Sequence, residues 1–432
     1  MIRSAALGGL LIGFLLAGTL LAGLSFGGGL VNGQADPAAW TGIAGAAMVL
    51  LGWLCVTVRP RWRVPLLLCA GLGTFVAILT LCGVAADVVP GARLLWLAGG
   101  MVVAPVLAIL CARSLSGAGR AVVLVLLAVL ALLAGRLPDG MGRGERPAAV
   151  RPALGVVTAL PLFWREGRRE HAPILAALDS AFSVRAVDRI AADSLSGVDH
   201  LLIAQPRPLA PAELVALDAW VRGGGKAVIL ADPLLLWPTG LPPGDRRSPP
   251  STSLLDPLLV HWGLFLAPVQ PQDIQPARRF LDGGALLPVA GVSRFTRRGG
   301  PCRLGEDGLV ALCGIGKGAV RLVADADLLD DRLWLADPAR STALSARAGD
   351  TPGLLVRWLA DPLDAAPVAP GAPWARSMLA IALGLRAALL VGMAWVILGA
   401  VMIGRRERPG GTGKRMGKAG KEDAEGRTQS EH

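Results

Sequence analysis

The chain has 432 residues, 53% of them apolar and only 17% charged, which is too hydrophobic for an ordinary soluble protein of this size. The formal net charge is +11, yet residues 151–364 hold 23 Lys+Arg against 23 Asp+Glu, so the excess lies in the apolar flanks and the tail. A basic balance made this way argues against a nucleic-acid partner and points to the orientation of apolar segments in a bilayer.

A hydrocarbon core about 30 Å thick needs roughly 20 apolar residues in a helix. Ala5–Phe26, Trp40–Val58, Val64–Val84 and Leu94–Cys111 meet that length, and Ala121–Ala134 meets it if Arg120 and Arg136 reach the two interfaces. The first run is longer than a signal-peptide core and lacks a clear small-x-small cleavage site, so an uncleaved anchor is expected. Residues 1–135 thus read as five transmembrane helices and 136–151 as a Gly-, Pro- and Arg-rich linker. After an α/β region over 152–365, a sixth span falls within 378–403, and residues 404–432 form a basic tail without apolar periodicity.

Lys and Arg mark the cytoplasmic side. With the N-terminus inside, the inner loops carry Arg59, Arg61, Arg63, Arg113 and Arg120, whereas the outer loops carry only Arg93. Five spans then place the α/β region in the periplasm, and the sixth returns the chain to a tail bearing Arg405, Arg406, Arg408, Lys414, Arg415, Lys418 and Lys421. The two ends give one answer: an inner-membrane, multi-pass chain whose termini are both cytoplasmic.

In the α/β region the continuous apolar run Leu154–Leu160 reads as a strand covered on both faces. A helix over His171–Phe182 follows, then strands Ser183–Val187 and His200–Gln205. The helix Pro211–Val221 stops at Gly223-Gly224-Gly225 and leads into a strand at Lys226–Leu230. Pro238–Ser253 reads as an exposed loop, Leu254–Trp262 as a short helix, Gly308–Cys313 and Ala319–Ala324 as a hairpin, and Thr351–Leu359 as the closing helix. Alternating β and α units predict a mostly parallel, doubly wound sheet of flavodoxin-like type.

Cys55, Cys69, Cys82 and Cys111 fall inside apolar spans, leaving Cys302 and Cys313 as the only cysteines of the α/β region. Asp307-Gly308 is a favoured two-residue hairpin turn. Counting outward from it sets Cys302 opposite Cys313 in a hydrogen-bonded pair, compatible with a disulfide in an oxidising compartment.

The stretch His200–Pro233 combines a strand, a Pro-rich turn, a helix ending Val221-Arg222-Gly223-Gly224 and a strand ending Asp232-Pro233. With Gly316–Leu329, the closing helix near Trp358 and the last span, it resembles the gliding-motility GldG-like family of ABC-transport auxiliary proteins over roughly residues 152–403. Where that family often has Asn before its last helix, this chain has Gly349-Asp350-Thr351-Pro352. The resemblance implies a subunit of a multi-component ABC-type system that works with a separate ATP-binding subunit and possesses no ATPase of its own.

The residues themselves agree with the last point, because no Gly-x4-Gly-Lys-Ser/Thr loop is present. The fold also resembles class I glutamine amidotransferases, whose chemistry needs a cysteine at a strand-to-helix elbow. Cys302 and Cys313 sit in a hairpin instead, so no catalytic residue and no cofactor are expected. Asp325, Asp327, Asp330 and Asp331 could chelate a hard cation, although a strand end followed by a helix cap is the commoner use of Asp, and no metal is expected. Ligands of open α/β sheets sit at the carboxyl ends of strands. Phe163, Trp164, Gln205, Arg207, Asp232, Asp325 and Asp327 occupy those ends and are the candidate ligand-binding residues.

Overall fold

The structure, a computed structural model, describes residues 2–26, 32–55, 60–87, 91–114, 117–134, 151–164, 171–242 and 244–406. The expected linker over 136–150 and the tail beyond 406 lie outside the described residues.

Each apolar run folds as a helix: α1 (Ile2–Phe26), α2 (Thr41–Cys55), α3 (Pro60–Ala86), α4 (Gly91–Ser114), α5 (Gly117–Ala134) and, at the far end of the sequence, Met378–Arg406. That C-terminal helix packs against α3 and α1, while α2 packs against α4 and α5. Small residues permit the approach: a Cβ on Gly384 would stand 2.7 Å from the Leu81 carbonyl oxygen of α3. Among the described residues, Pro37–Cys55, Arg63–Ala86 and Met378–Val401 are long and apolar enough to cross a bilayer, whereas Gly13–Phe26, Leu97–Cys111 and Ala121–Leu133 are shorter apolar stretches. The outward surfaces of these helices are apolar, with Phe14, Leu95, Leu130 and Leu390 exposed.

The rest of the chain is a mixed α/β domain. Its strands are β1 (Ala153–Thr158), β2 (Ser183–Ala186), β3 (His200–Ala204), β4 (Lys226–Leu230), β5 (Leu264–Leu266), β6 (Ala277–Phe280), β7 (Leu286–Val289), β8 (Phe295–Arg297), β9 (Cys302–Gly305), β10 (Val310–Ile315) and β11 (Gly318–Val323). The helices between them are α6 (Pro173–Asp179), α7 (Pro211–Arg222), α8 (Asp256–His261), α9 (Asp331–Trp334) and α10 (Thr351–Ala360), so the C-terminal helix is α11.

Seven strands form one sheet in the order β2-β1-β3-β4-β11-β10-β9. The first five run parallel, and β10 and β9 extend the sheet antiparallel. Every residue of β3 is buried and β1, β4 and β11 are nearly so, the burial of strands covered on both faces. Helix α10 packs on β3 and β4, and α7 packs against β11. The pairs β5–β8 and β6–β7 form two small antiparallel ribbons.

The β9–β10 connection differs from the two-residue turn expected at Asp307-Gly308. Glu306, Asp307 and Gly308 all have positive φ and Leu309 is helical, so four residues, 306–309, leave the ladder. One residue is lost from each strand, so the register Cys302↔Cys313 is the expected one. The kind of pair changes, however. The two Cα atoms are 4.1 Å apart, the spacing of the close, non-hydrogen-bonded pair, and a disulfide joins the side chains.

Helices and domain meet along the α1–α2 connection. Asn32 Nδ2 donates to the Ser345 carbonyl at 2.6 Å, and Gln34 Nε2 donates to Leu344 at 2.8 Å and Arg347 at 2.7 Å. Gln34 also bridges Trp374, and Ala375 N donates to Gly33 O at 2.8 Å. Both side chains are buried, so these donors have exchanged water for specific carbonyls.

Candidate functional site

Parallel pairing of β4 with β11 puts Leu230 beside Val323, so Asp232 and Asp325, each two residues further on, emerge together at the carboxyl end of the sheet. Asp327 follows on the same turn. Oxygens of the three carboxylates all lie within 4.8 Å of one another, and all three residues are buried. Between them the carboxylates hold the backbone of three segments, 234–236, 326–328 and Ala290. Asp232 Oδ1 accepts from Leu234 N at 2.8 Å and its Oδ2 from Ala326 N at 3.0 Å. Asp325 accepts from Ala290 N at 3.0 Å and Leu328 N at 3.1 Å. Asp327 Oδ2 accepts from Leu236 N at 2.7 Å, while its Oδ1 is buried without a hydrogen-bond partner.

Gln205 joins this group from the end of β3. It is buried, holds φ at 42°, and its Nε2 donates to the carbonyls of Asp232 at 3.1 Å and Pro250 at 3.0 Å. The loops after β3, β4, β7 and β11 are thereby tied at one point.

Burial, which penalises the charged form, dominates the electrostatics. It raises Asp232 to about 6, and it raises Asp327 to about 7 with help from the charges of Asp232 and Asp330. Asp325 is pushed well above the carboxylate range by burial and then by its two acidic neighbours. Three bare carboxylates at this spacing repel strongly, so the cluster is neutralised by bound protons or by a hard cation.

Beside the cluster, at the carboxyl ends of β1 and β2, lies a crevice of about 880 Å³. Phe163, Trp164 and Trp237 supply aromatic wall, and Asp188, Arg247 and Asp330–Arg332 supply charge. Trp164 is 59% exposed, whereas Phe163 is half-buried with its ring edge-on to His171 at 5.6 Å. The crevice lies at the ends of β1 and β2, beside the point between β1 and β3 where the sheet order reverses and open α/β sheets leave room for ligands.

The predicted residues therefore separate into groups. Phe163 and Trp164 line the crevice. Gln205, Asp232, Asp325 and Asp327 form the buried brace beside it. Arg207 does neither, because its guanidinium donates to the carbonyls of Arg246 at 2.7 Å and Arg247 at 3.4 Å and pins the loop after β4. The acidic run also divides: Asp330 caps α9 through Arg332 N, pairs with the Arg332 guanidinium, and with Asp331 faces the crevice rather than the cluster. Trp237, Asp188 and Arg247 were missed. Trp237 stands at the entry to a Pro-rich loop and Asp188 just past β2, positions at which strand-end reasoning could have found them.

The disulfide leaves no free thiol in the α/β domain, so a cysteine–histidine mechanism has no nucleophile there.

Residues 151–279 match the model of the ABC-transport auxiliary family, described as an ABC-type uncharacterized transport system. No curated protein matches the chain. Among solved structures, the exo-beta-1,4-mannosidase Op5Man5 from Opitutaceae bacterium strain TAV5 is similar at 15% identity and a TM-score of 0.32, covering 57% of this chain and 39% of its own. The mmIFT52 N-terminal domain is similar at 12% identity and a TM-score of 0.34, covering 48% of this chain and 97% of its own. The cytoplasmic protein STM1381 from Salmonella typhimurium LT2 is similar at 12% identity and a TM-score of 0.27, covering 40% of this chain and 88% of its own. At these scores the likenesses carry no argument about fold or activity.

Proposed function

We propose that this chain is a non-catalytic, permease-like accessory subunit of an ABC-type transport system, anchored in the bacterial inner membrane, with its α/β domain serving in the periplasm as a recognition or scaffold module. The match over residues 151–279, which indicates an auxiliary component of such a system, carries the reading. The GldG-like blocks at His200–Pro233 and Gly316–Leu329 support it. So does the strand order β2-β1-β3-β4 with β11 in fifth place, which is the flavodoxin-like order. The exposed Phe14, Leu95, Leu130 and Leu390 of the helices support a bilayer surround, and the Lys/Arg bias of the flanks supports the orientation. The partner is a separate ATP-binding subunit, and the crevice at Phe163, Trp164 and Trp237 is the recognition surface.

Affinity purification of the full chain from membranes, with mass spectrometry of what accompanies it, tests the assignment. Recovery of an ATP-binding cassette subunit is expected, and its absence across detergents sinks the reading. For orientation, a phosphatase fused after Ala149 should be active and one fused to the C-terminus inactive.

A second reading, a membrane-tethered extracytoplasmic hydrolase, draws on Asp327, a carboxyl raised to about 7 close to the crevice and so able to donate a proton near neutrality. Hydrolytic activity lost in Asp327→Asn with the fold intact would favour it.

A further inference from the structure

A second cavity, of about 380 Å³, lies at the end of the domain that meets the helices. Its wall includes Ala86, the last residue of α3, and Arg376, whose backbone N–H donates to the Ala85 carbonyl at 2.8 Å two residues before α11 begins. Both helices are apolar enough to cross a bilayer, so the cavity stands at the depth where they leave the hydrocarbon. Trp374 lines the same wall, and its Nε1 donates to Asp350 Oδ2 at 2.6 Å. An aromatic ring with a polar tip suits that depth.

The charges are the notable part. Arg376 stands over the Phe280 ring at 4.8 Å from its centroid and Arg278 at 5.7 Å. The Arg278 guanidinium also closes on Gly33 of the α1–α2 connection, where an added Cβ would come within 2.8 Å. Among the described residues neither arginine has a carboxylate within ion-pair distance, in contrast to Arg279, which pairs with Asp273 at 3.5 Å. The acid on the cavity wall is Asp282. Arg376 lines the cavity and Arg278 stands beside it on the same Phe280 ring, so a phosphate diester offers both guanidiniums the anionic partner that no carboxylate supplies among the described residues.

We propose that this cavity holds the phosphate diester of a bilayer phospholipid, with Arg376 and Arg278 as its cationic partners and Phe280 fixing both guanidiniums. The proposal rests on the membrane reading above. A free phosphate offers the same chemistry, but the source inferred is lipid, because the cavity opens where α3 and α11 end rather than at the sheet's ligand-binding edge. A headgroup clamped here would fix the height of the domain above the membrane.

The test uses the full chain, purified in detergent and stripped of lipid, with thermal unfolding followed on adding phosphatidylglycerol, diacylglycerol or inorganic phosphate. Phosphatidylglycerol is expected to raise the midpoint, diacylglycerol and inorganic phosphate to leave it unmoved. In the double variant Arg278→Gln/Arg376→Gln the half-saturating lipid concentration should rise about thirtyfold, while Arg303→Gln, an exposed control, should not change it. Equal stabilisation by diacylglycerol, stabilisation by inorganic phosphate, or an unchanged lipid response in the double variant would each overturn the proposal. If the double variant fails to fold, native mass spectrometry of the unmodified chain decides, since retained phospholipid supports the site and its absence refutes it. Extraction of the chain from membranes by alkaline carbonate would break the membrane reading itself, an outcome separate from any of these.

Discussion

Gln205 and Asp232 hydrogen-bond each other in both directions: Gln205 Nε2 donates to the Asp232 carbonyl at 3.1 Å, and Asp232 N donates to Gln205 Oε1 at 3.2 Å. The exchange imitates a rung of sheet beyond the ends of β3 and β4. It fixes where the Asp232 carboxylate meets those of Asp325 and Asp327, and the pH dependence of stability follows from that meeting.

The first concerns pH. A carboxyl whose pKa is raised on folding holds its proton more tightly in the native state than in the unfolded chain, so stability falls as pH rises between the two values. With Asp232 at about 6 and Asp327 at about 7, the contribution is complete below about pH 4 and is lost as pH climbs through 6 and 7. For Asp232 the shift corresponds to about 3 kcal/mol. Asp327→Asn keeps an oxygen for Leu236 N and places a donor where Oδ1 has no partner. The variant should gain about 1 kcal/mol or more at pH 8 and show a flatter pH profile. Thermal unfolding from pH 5 to 8 checks this, and an unchanged slope would count against the charge account.

A steric prediction lies at the start of β11. A Cβ on Gly318 would stand 2.0 Å from the Val221 carbonyl oxygen and 2.6 Å from that of Gly225, both backbone atoms that cannot turn aside. Gly318→Ala should cost about 3 kcal/mol by forcing β11 away from the end of α7. Denaturant titration of the purified chain measures it.

Alkylation without reductant should label four cysteines and after reduction all six, because only Cys55, Cys69, Cys82 and Cys111 carry thiols. Replacing Cys302 and Cys313 together by Ala should cost about 3 kcal/mol, the chain-entropy value for so short a loop.

At the crevice the expected effect is on recognition rather than folding. Trp164 is largely exposed, so Trp164→Ala should change stability by no more than about 0.5 kcal/mol while reducing recovery of whatever partner the crevice binds. Quantitative pull-down beside a melting curve separates the two.

The parts of the fold legible in the sequence are those where burial writes a continuous pattern. Strands β1, β3, β4 and β11 are apolar runs closed by Gly, Pro or Asp, and α7 carries its buried Leu217 and Val221 at helical spacing. Strands β6 and β8 are short and partly exposed, so neither alternation nor an apolar run marks them, and β5 is an apolar run of only three residues, too short to be told from a loop. The acidic cluster was half legible. Asp325 and Asp327 stand together in sequence, but their meeting with Asp232 depends on which strand lies beside β4, and local pattern does not encode that. The hairpin shows a subtler limit: taking one extra residue from each strand preserves the register Cys302↔Cys313 and alters only whether the pair is hydrogen-bonded, a distinction that residue identities do not carry.

The buried amides of Asn32 and Gln34 bind the α1–α2 connection to the 344–347 segment, and Arg376 is fastened to the end of α3. The domain is therefore moored to the helices at points far apart in the chain, and a pull on it is shared among α1, α2, α3 and α11 rather than borne by one tether. Any tilt of the domain must shift those helices against one another, so a displacement of the domain and a rearrangement among α1, α2, α3 and α11 become one mechanical event.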